Sequence, residues 1–129
     1  MFSHITVGTN DLPRAIDFYG KVLGTLGIVL KAHRHAPERA IFVHQDSDVA
    51  FCVYSPIDGQ PASVGNGSLV AFEARTRHQV DRFHARAVQL GGVDEGPPGL
   101  RLNYSPTYYG AYVRDLDGNK LCCVCHLPE

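Results

Sequence analysis

The fold is decided by residues 4–24, which read HITVGTNDLPRAIDFYGKVLG, because the same design returns in the second half of the chain. There the sequence again passes from a short apolar run into a stretch with helical spacing, and Phe83 falls on Phe18 at an offset of 65 residues. Further along, Cys122 falls on Cys52 at an offset of 70. A repeat of this length indicates a duplicated structural unit, and a small insertion explains the change of offset.

The first copy predicts the element order βαβββ. Residues 3–8 are typical of a short strand, and Asn10-Asp11-Leu12-Pro13 is typical of a helix start, since Asn or Asp caps a helix and Pro is tolerated in its first turn. Gly24 and Gly27 end the apolar stripe of this helix. Three strand-like runs separated by turns then follow, at 28–32, 40–44 and 49–54.

The second copy predicts the same order after a linker at 58–67 that is rich in turn formers. We therefore expect one domain, residues 1–129, made of a first module (1–57) and a second module (68–129). The predicted elements of the second module are a strand at 69–74, a helix at 76–90, a short strand near Val93, a loop at 96–106, and strands at 107–114 and 120–126.

The composition limits the classes of function. The 129 residues carry a formal charge of −1 without a basic stripe, so we expect no nucleic-acid partner. No apolar run approaches the roughly 20 residues that span a bilayer, and no signal peptide is apparent, so we expect no membrane partner and a cytoplasmic protein. Three of the four cysteines lie within 122–125, which does not suit a disulfide framework, so we interpret all four as thiols.

The opening stretch and residues 112–126, YVRDLDGNKLCCVCH, resemble the first helix and last hairpin of the vicinal oxygen chelate superfamily. That superfamily includes glyoxalase I, bleomycin resistance proteins and extradiol dioxygenases, and the resemblance covers nearly the whole chain. It implies an α+β fold in which two tandem βαβββ modules form a curled mixed sheet around a central cavity, with the helices outside. It does not fix the function, because one fold hosts many activities.

Strand alternation and the duplication place His4, Cys52, Leu69 and Cys122 at equivalent positions facing the expected cavity. The resemblance implies that metal-dependent relatives carry His or Gln on the first strand of each module and Glu on the last, and only His4 matches. Leu69 has no atom that can bind a metal. Cys52 and Cys122 offer sulfur, which favours Zn over the metals that prefer oxygen ligands. We therefore expect no cofactor. If a divalent metal such as Zn, Ni or Mn binds, His4, Cys52 and Cys122 would hold it.

Aromatic and basic residues late in the chain are the better candidates for ligand contact. Arg101 and Tyr104 belong to the predicted loop, and Tyr108 and Tyr112 share one face of the next strand. Tyrosine combines an apolar ring with a hydroxyl and suits a small organic ligand, although alternation leaves open which face looks inward. We predict His4 and Cys122 as the catalytic centre, and as ligand contacts Cys52, Leu69, Arg101, Tyr104, Tyr108 and Tyr112.

Four further basic residues lie on or near the second and third strands: His33, Arg34, His35 and His44. They could supply anion binding or a proton relay at the mouth of the cavity, or they could be ordinary surface residues.

Three functions remain open on the sequence. We expect a metal-free protein that binds a small organic molecule, similar to the bleomycin resistance group. The alternative is a metal-dependent glyoxalase-type lyase or isomerase acting on a small carbonyl compound or thiol conjugate. A third is an enzyme that uses His4, Cys52 or Cys122 directly as base or nucleophile. We do not expect lactoylglutathione lyase activity itself. Homodimerisation is expected, because such folds pair edge to edge and the second module leaves a strand edge to cover.

Overall fold

The computed structural model describes residues 1–129 and shows two βαβββ modules in tandem. The first module contains β1 (His4–Gly8), α1 (Leu12–Gly24), β2 (Ile28–His35), β3 (Glu38–His44) and β4 (Ala50–Tyr54). The second contains β5 (Val70–Glu73), α2 (Arg77–Gln89), β6 (Val93–Leu100), β7 (Tyr109–Arg114) and β8 (Lys120–Cys125). The predicted fold class is confirmed.

Each module forms its own four-stranded mixed sheet, in the order β1-β4-β3-β2 and β5-β8-β7-β6. The first strand of each module pairs in parallel with the last, and the remaining pairs are antiparallel. The sheets are separate and no barrel closes within one chain. Neither helix is long and apolar enough to cross a membrane.

Both helices begin at capping residues. The Asp11 side chain accepts a hydrogen bond from the Arg14 backbone N–H, and Thr76 accepts one from that of Gln79, so each cap satisfies a donor that the helix leaves free. Each helix then buries one apolar stripe. The buried stripe residues of α1 are Leu12, Ala15, Phe18, Tyr19, Val22 and Leu23, and those of α2 are Val80, Phe83 and Ala87.

One hydrophobic core of 21 buried residues spans the two modules. Aromatic rings connect the core across the boundary between the modules. The ring centroid of Phe51 in β4 lies 5.1 Å from that of Phe72 in β5, and the Phe72 centroid lies 5.9 Å from that of Phe83 in α2. The Phe51–Phe72 pair is edge-to-face, an arrangement that stabilises a core beyond the area it buries. The two modules therefore fold against each other.

The turn between β7 and β8 joins the modules through hydrogen bonds. The carboxylate of Asp115, which is 4% exposed, accepts one from the Tyr19 hydroxyl of α1. The carboxylate of Asp117 accepts one from Thr9 Oγ1 at 2.6 Å and one from the backbone N–H of Asn10 at 2.9 Å. The Asp-x-Asp-Gly-Asn turn is thus a structural joint between the end of β1 and the second module.

Two sequence predictions of strand extent were wrong. The loop predicted at 96–106 is shorter, because β6 continues to Leu100 through Pro97 and Pro98. An edge strand tolerates Pro and irregular register, and β6 is an edge strand whose pairing with β7 shifts twice. The strand predicted at 28–32 runs on to His35, because the hairpin pairs His35 with Glu38.

Candidate ligand-binding site

The second sheet has a core face and an outer face, which settles the orientation that alternation left open. Tyr109 points toward α2, where its hydroxyl donates to Asp81 Oδ1 at 2.6 Å. Tyr108 and Tyr112 therefore lie on the outer face, where Tyr112 pairs across the ladder with Cys122. We call this surface the tyrosine face and define it by Tyr108, Gly110, Tyr112 and Cys122.

Two hydroxyls and a thiol converge on the tyrosine face. Tyr108 Oη lies 2.8 Å from Tyr112 Oη and 3.6 Å from Cys122 Sγ, within hydrogen-bond range for sulfur. The rings of Tyr104 and His126 pack against the Tyr108 ring at centroid distances of 4.9 and 5.4 Å. The face thus combines aromatic surface with a small group of polar atoms.

Two cations flank the tyrosine face. The Arg101 guanidinium lies 5.6 Å from the centre of the Tyr112 ring, and Lys120 Nζ lies 5.7 Å from it. Arg101 is held in place because it donates to the carbonyls of Gly99 at 2.9 Å and Pro97 at 2.7 Å. No carboxylate pairs with either cation, so both remain available to an anionic group.

Glycines make room for this arrangement. A Cβ atom on Gly110 would lie 2.8 Å from Cε1 of Tyr108, and one on Gly96 would lie 3.2 Å from both Arg101 and Tyr112. Gly110 therefore lets the Tyr108 ring fold over β7. An isolated Gly inside a strand is the sequence signal that could have indicated this close approach.

All three polar groups at the centre are neutral at neutral pH. Burial raises the pKa of the Cys122 thiol, although hydrogen bonds with Tyr108 and Tyr112 oppose that effect. Burial also raises the pKa of both tyrosines. A cysteine that acts as nucleophile or metal ligand needs its thiolate, which this environment disfavours.

The remaining predicted residues are divided between the sheets. His4 and Cys52 belong to the first sheet, where Cys52 pairs with Thr6, while Leu69 immediately precedes β5 of the second. Cys52 is buried, whereas His4 and Leu69 are exposed. One chain thus brings Cys122 together with Tyr108 and Tyr112, with Arg101 and Tyr104 beside them. His4, Cys52 and Cys122 do not form one ligand cluster within a chain.

The group of three metal-ligating side chains that the fold does assemble lies elsewhere. His33, His35 and Glu38 meet at the β2–β3 hairpin, with their donor atoms within 4.8 Å of one another. The sequence indicated the two histidines for anion binding or proton relay but not Glu38, which only the hairpin register brings to them.

A cavity of about 780 Å³ opens at the seam between the modules, away from the tyrosine face. Its walls are mostly apolar and come from both modules, with Phe42, Phe51 and Phe72 among them. At its rim Arg75 forms an ion pair with Asp46 at 3.1 Å. Of the candidate site residues named from the sequence, only His44 lines it, because apolar lining residues look like ordinary core residues in a sequence.

A family model described as the Glyoxalase/Bleomycin resistance protein/Dioxygenase superfamily matches residues 1–123. The chain is also similar to the crystal structure of a glyoxalase/bleomycin resistance protein from Albidiferax ferrireducens T118. The two share 42% identity and a TM-score of 0.86, over 98% of this chain and 99% of that one. No curated protein matches the chain significantly.

More distant solved structures share the fold alone. The fosfomycin resistance protein FosX from Listeria monocytogenes is 17% identical with a TM-score of 0.71, over 98% of this chain and 93% of that one. A lactoylglutathione lyase from Agrobacterium tumefaciens is 19% identical with a TM-score of 0.68, over 97% of this chain and 92% of that one.

Proposed function

The chain belongs to the glyoxalase/bleomycin resistance protein/dioxygenase superfamily, and on this premise we propose that it binds a small organic molecule on the tyrosine face, without the family's usual metal. One observation carries the proposal. The hydroxyls of Tyr108 and Tyr112 and the thiol of Cys122 converge there, beside the cations of Arg101 and Lys120.

The donor set at the usual metal positions does not fit a metal ion. Leu69 offers no donor atom, and the thiols of Cys52 and Cys122 both have a pKa raised by burial, which keeps them protonated at neutral pH. Cys122 is moreover within hydrogen-bond range of Tyr108. We therefore base the proposed function on shape, hydrogen bonding and charge.

The chemistry of the face indicates the class of ligand. The rings of Tyr104, Tyr108 and Tyr112 suit an apolar or aromatic body, and the neutral hydroxyls suit a polar substituent. Arg101 and Lys120 favour an anionic group at one end, because neither forms an ion pair with a carboxylate. A small aromatic acid has all three features.

We extend the proposal to a cytoplasmic homodimer in which the first sheet of one copy covers the tyrosine face of the other. His4 and Thr6 on the first sheet are exposed, and so are Leu69 and Ala71 beside Cys122 on the second. Covering both surfaces would turn two open faces into closed cavities between modules. It would also bring His4 and Cys122 into one cavity.

The chain offers a direct reporter for a binding test, because it contains 6 tyrosines and no tryptophan. We expect a member of a panel of small aromatic carboxylates to change the tyrosine fluorescence saturably. Binding should weaken at least about tenfold, or 1.4 kcal/mol, in Arg101→Ala and Tyr108→Phe. Arg82→Ala, an exposed position on α2, is the matched control.

Two results would contradict the proposal. One is a ligand whose affinity is the same in wild type, Arg101→Ala and Tyr108→Phe. The other is a co-crystal structure that places the ligand in the seam cavity beside Phe51 and Phe72 instead of on the tyrosine face.

A further inference from the structure

We infer that His33, His35 and Glu38 form a binding site for a divalent transition metal of the zinc class at the tip of the β2–β3 hairpin. The ligands would be His33 Nε2, His35 Nδ1 and a carboxylate oxygen of Glu38. The site shares no residue with the tyrosine face, so this inference does not depend on the proposed function.

Strand geometry brings the three side chains to one surface. His33 and His35 are two residues apart in β2 and therefore point to the same side of the strand. Glu38 is the cross-strand partner of His35, and paired residues share a face. The hairpin thus supplies the site from six consecutive residues and needs no other element.

The donor atoms already stand at the spacing that a metal requires. His33 Nε2 lies 3.2 Å from Glu38 Oε2, and His35 Nδ1 lies 2.9 Å from Glu38 Oε1. In a tetrahedral site with Zn–N and Zn–O bonds near 2.0–2.1 Å, neighbouring ligand atoms are about 3.3 Å apart. The two imidazole rings are also held together, with centroids 4.5 Å apart. Small rotations would let one ion replace the hydrogens now shared with Glu38.

The donor chemistry selects the class of metal. Imidazole nitrogen suits Zn, Cu, Ni and Fe, whereas Mg²⁺ and Ca²⁺ prefer a shell of oxygen ligands. Two histidines and one glutamate are a known ligand set for zinc, in which a water or another molecule takes the fourth position. The side chains of His33, His35 and Glu38 are 34%, 73% and 44% exposed, so an ion can reach them from solvent.

This site lies on the opposite side of the first sheet from Cys52. Along β3, Ala40 and Phe42 face the core, whereas Ile41 pairs with Cys52 on the other face. Glu38 lies two residues before Ala40 in β3, so its side chain is on the same face of the sheet as Ala40, the face that packs against the helices. The hairpin site is therefore separate from the positions that the family resemblance assigns to a metal.

The test is titration calorimetry of Zn²⁺ into the chelator-treated protein. We expect one Zn²⁺ per chain, with the affinity weakened at least about tenfold in His33→Ala and in Glu38→Gln. Glu38→Gln keeps the shape of the hairpin and guards against a folding artefact. His78→Ala, an exposed histidine on α2, and Cys122→Ala should bind Zn²⁺ like the wild type, and Mg²⁺ should not compete.

Three results would overturn the inference. The first is no Zn²⁺ binding by the wild type, which would leave His33, His35 and Glu38 as a hydrogen-bonded hairpin tip. The second is stoichiometric binding that survives both His33→Ala and Glu38→Gln. The third is binding abolished by Cys122→Ala, which would move the metal to the cavity positions and would also contradict the metal-free proposal for the tyrosine face.

Discussion

Asp115 links the two modules through a hydrogen bond with Tyr19 of α1. Its carboxylate is buried and accepts hydrogen bonds from the Tyr19 hydroxyl, the Asn119 side chain and two backbone N–H groups of its own turn. Burial, followed by the neighbouring Asp115 charge, raises the pKa of Tyr19, so its hydroxyl stays a donor across the ordinary pH range.

Asp115→Ala should therefore destabilise the protein strongly. It leaves buried donors unsatisfied, and each such group costs about 1–3 kcal/mol, so we expect a loss of about 3 kcal/mol in the free energy of unfolding. Urea denaturation measures it, with the exposed Asp58→Ala as control. A loss below about 1 kcal/mol would show that the joint contributes little.

Cys122 leads to a prediction about pH. Because burial raises the pKa of its thiol, the reactive thiolate is scarce at neutral pH. We expect Cys122 to alkylate with iodoacetamide more slowly than a free thiol at neutral pH, and its rate to keep rising above pH 9, where a free thiol levels off. Peptide mass spectrometry of wild type and Cys122→Ser measures the rate. Rapid alkylation near neutral pH would reopen a nucleophilic role.

At the scale of elements, β7 shapes the tyrosine face through Gly110. Gly110→Ala should leave the strand intact, because Gly110 does not adopt a positive φ, but should displace the Tyr108 ring that lies 2.8 Å from the new Cβ. We expect ligand affinity to fall while the fold is retained. Circular dichroism and tyrosine fluorescence test this together.

Gly20→Ala is the matched control for that substitution. A Cβ at Gly20 meets nothing within 4 Å, and Gly20 lies within α1, so the change should stabilise the protein by about 0.5–1 kcal/mol and leave binding unchanged. Equal affinities in Gly110→Ala and Gly20→Ala would contradict the role assigned to the Tyr108 ring.

The elements also show how far sequence reasoning extends. A cap and an apolar stripe predicted α1, and the return of the stripe in the second copy predicted α2, because those signals are local. Alternation placed Tyr108 and Tyr112 on one face of the sheet. It could not show that this is the outer face, because that depends on Tyr109 contacting Asp81 of α2, which is a tertiary contact. Pro97 and Pro98 suggested a loop, yet they lie in an edge strand where a missing N–H is tolerated.

At the scale of the whole molecule, the duplication is symmetric in sequence but not in how the modules meet. At one end of the seam, Asp117 accepts hydrogen bonds from Thr9 at 2.6 Å and from Asn10 at 2.9 Å. The counterpart of Asn10 at an offset of 65 is Arg75, which forms an exposed ion pair with Asp46 beside the 780 Å³ cavity. Surface ion pairs stabilise little, so this end stays open. Repeats in a sequence predict equivalent elements and do not predict such differences.

The proposed dimer rests on the same geometry. Within one chain, the outer faces of the first and second sheets do not face each other, so a second copy is needed to bring two such faces together around one cavity. We expect sedimentation equilibrium to give the mass of two chains of 14.1 kDa each. Leu69→Glu puts a charge on the surface to be covered, next to β5, and should yield monomers that no longer bind the ligand. Val88→Glu, at a similarly exposed apolar position on α2, should remain dimeric. A wild-type monomer that binds ligand would contradict the dimer and leave the tyrosine face as a site complete in one chain, whereas a dimer without ligand binding would contradict the proposed function alone.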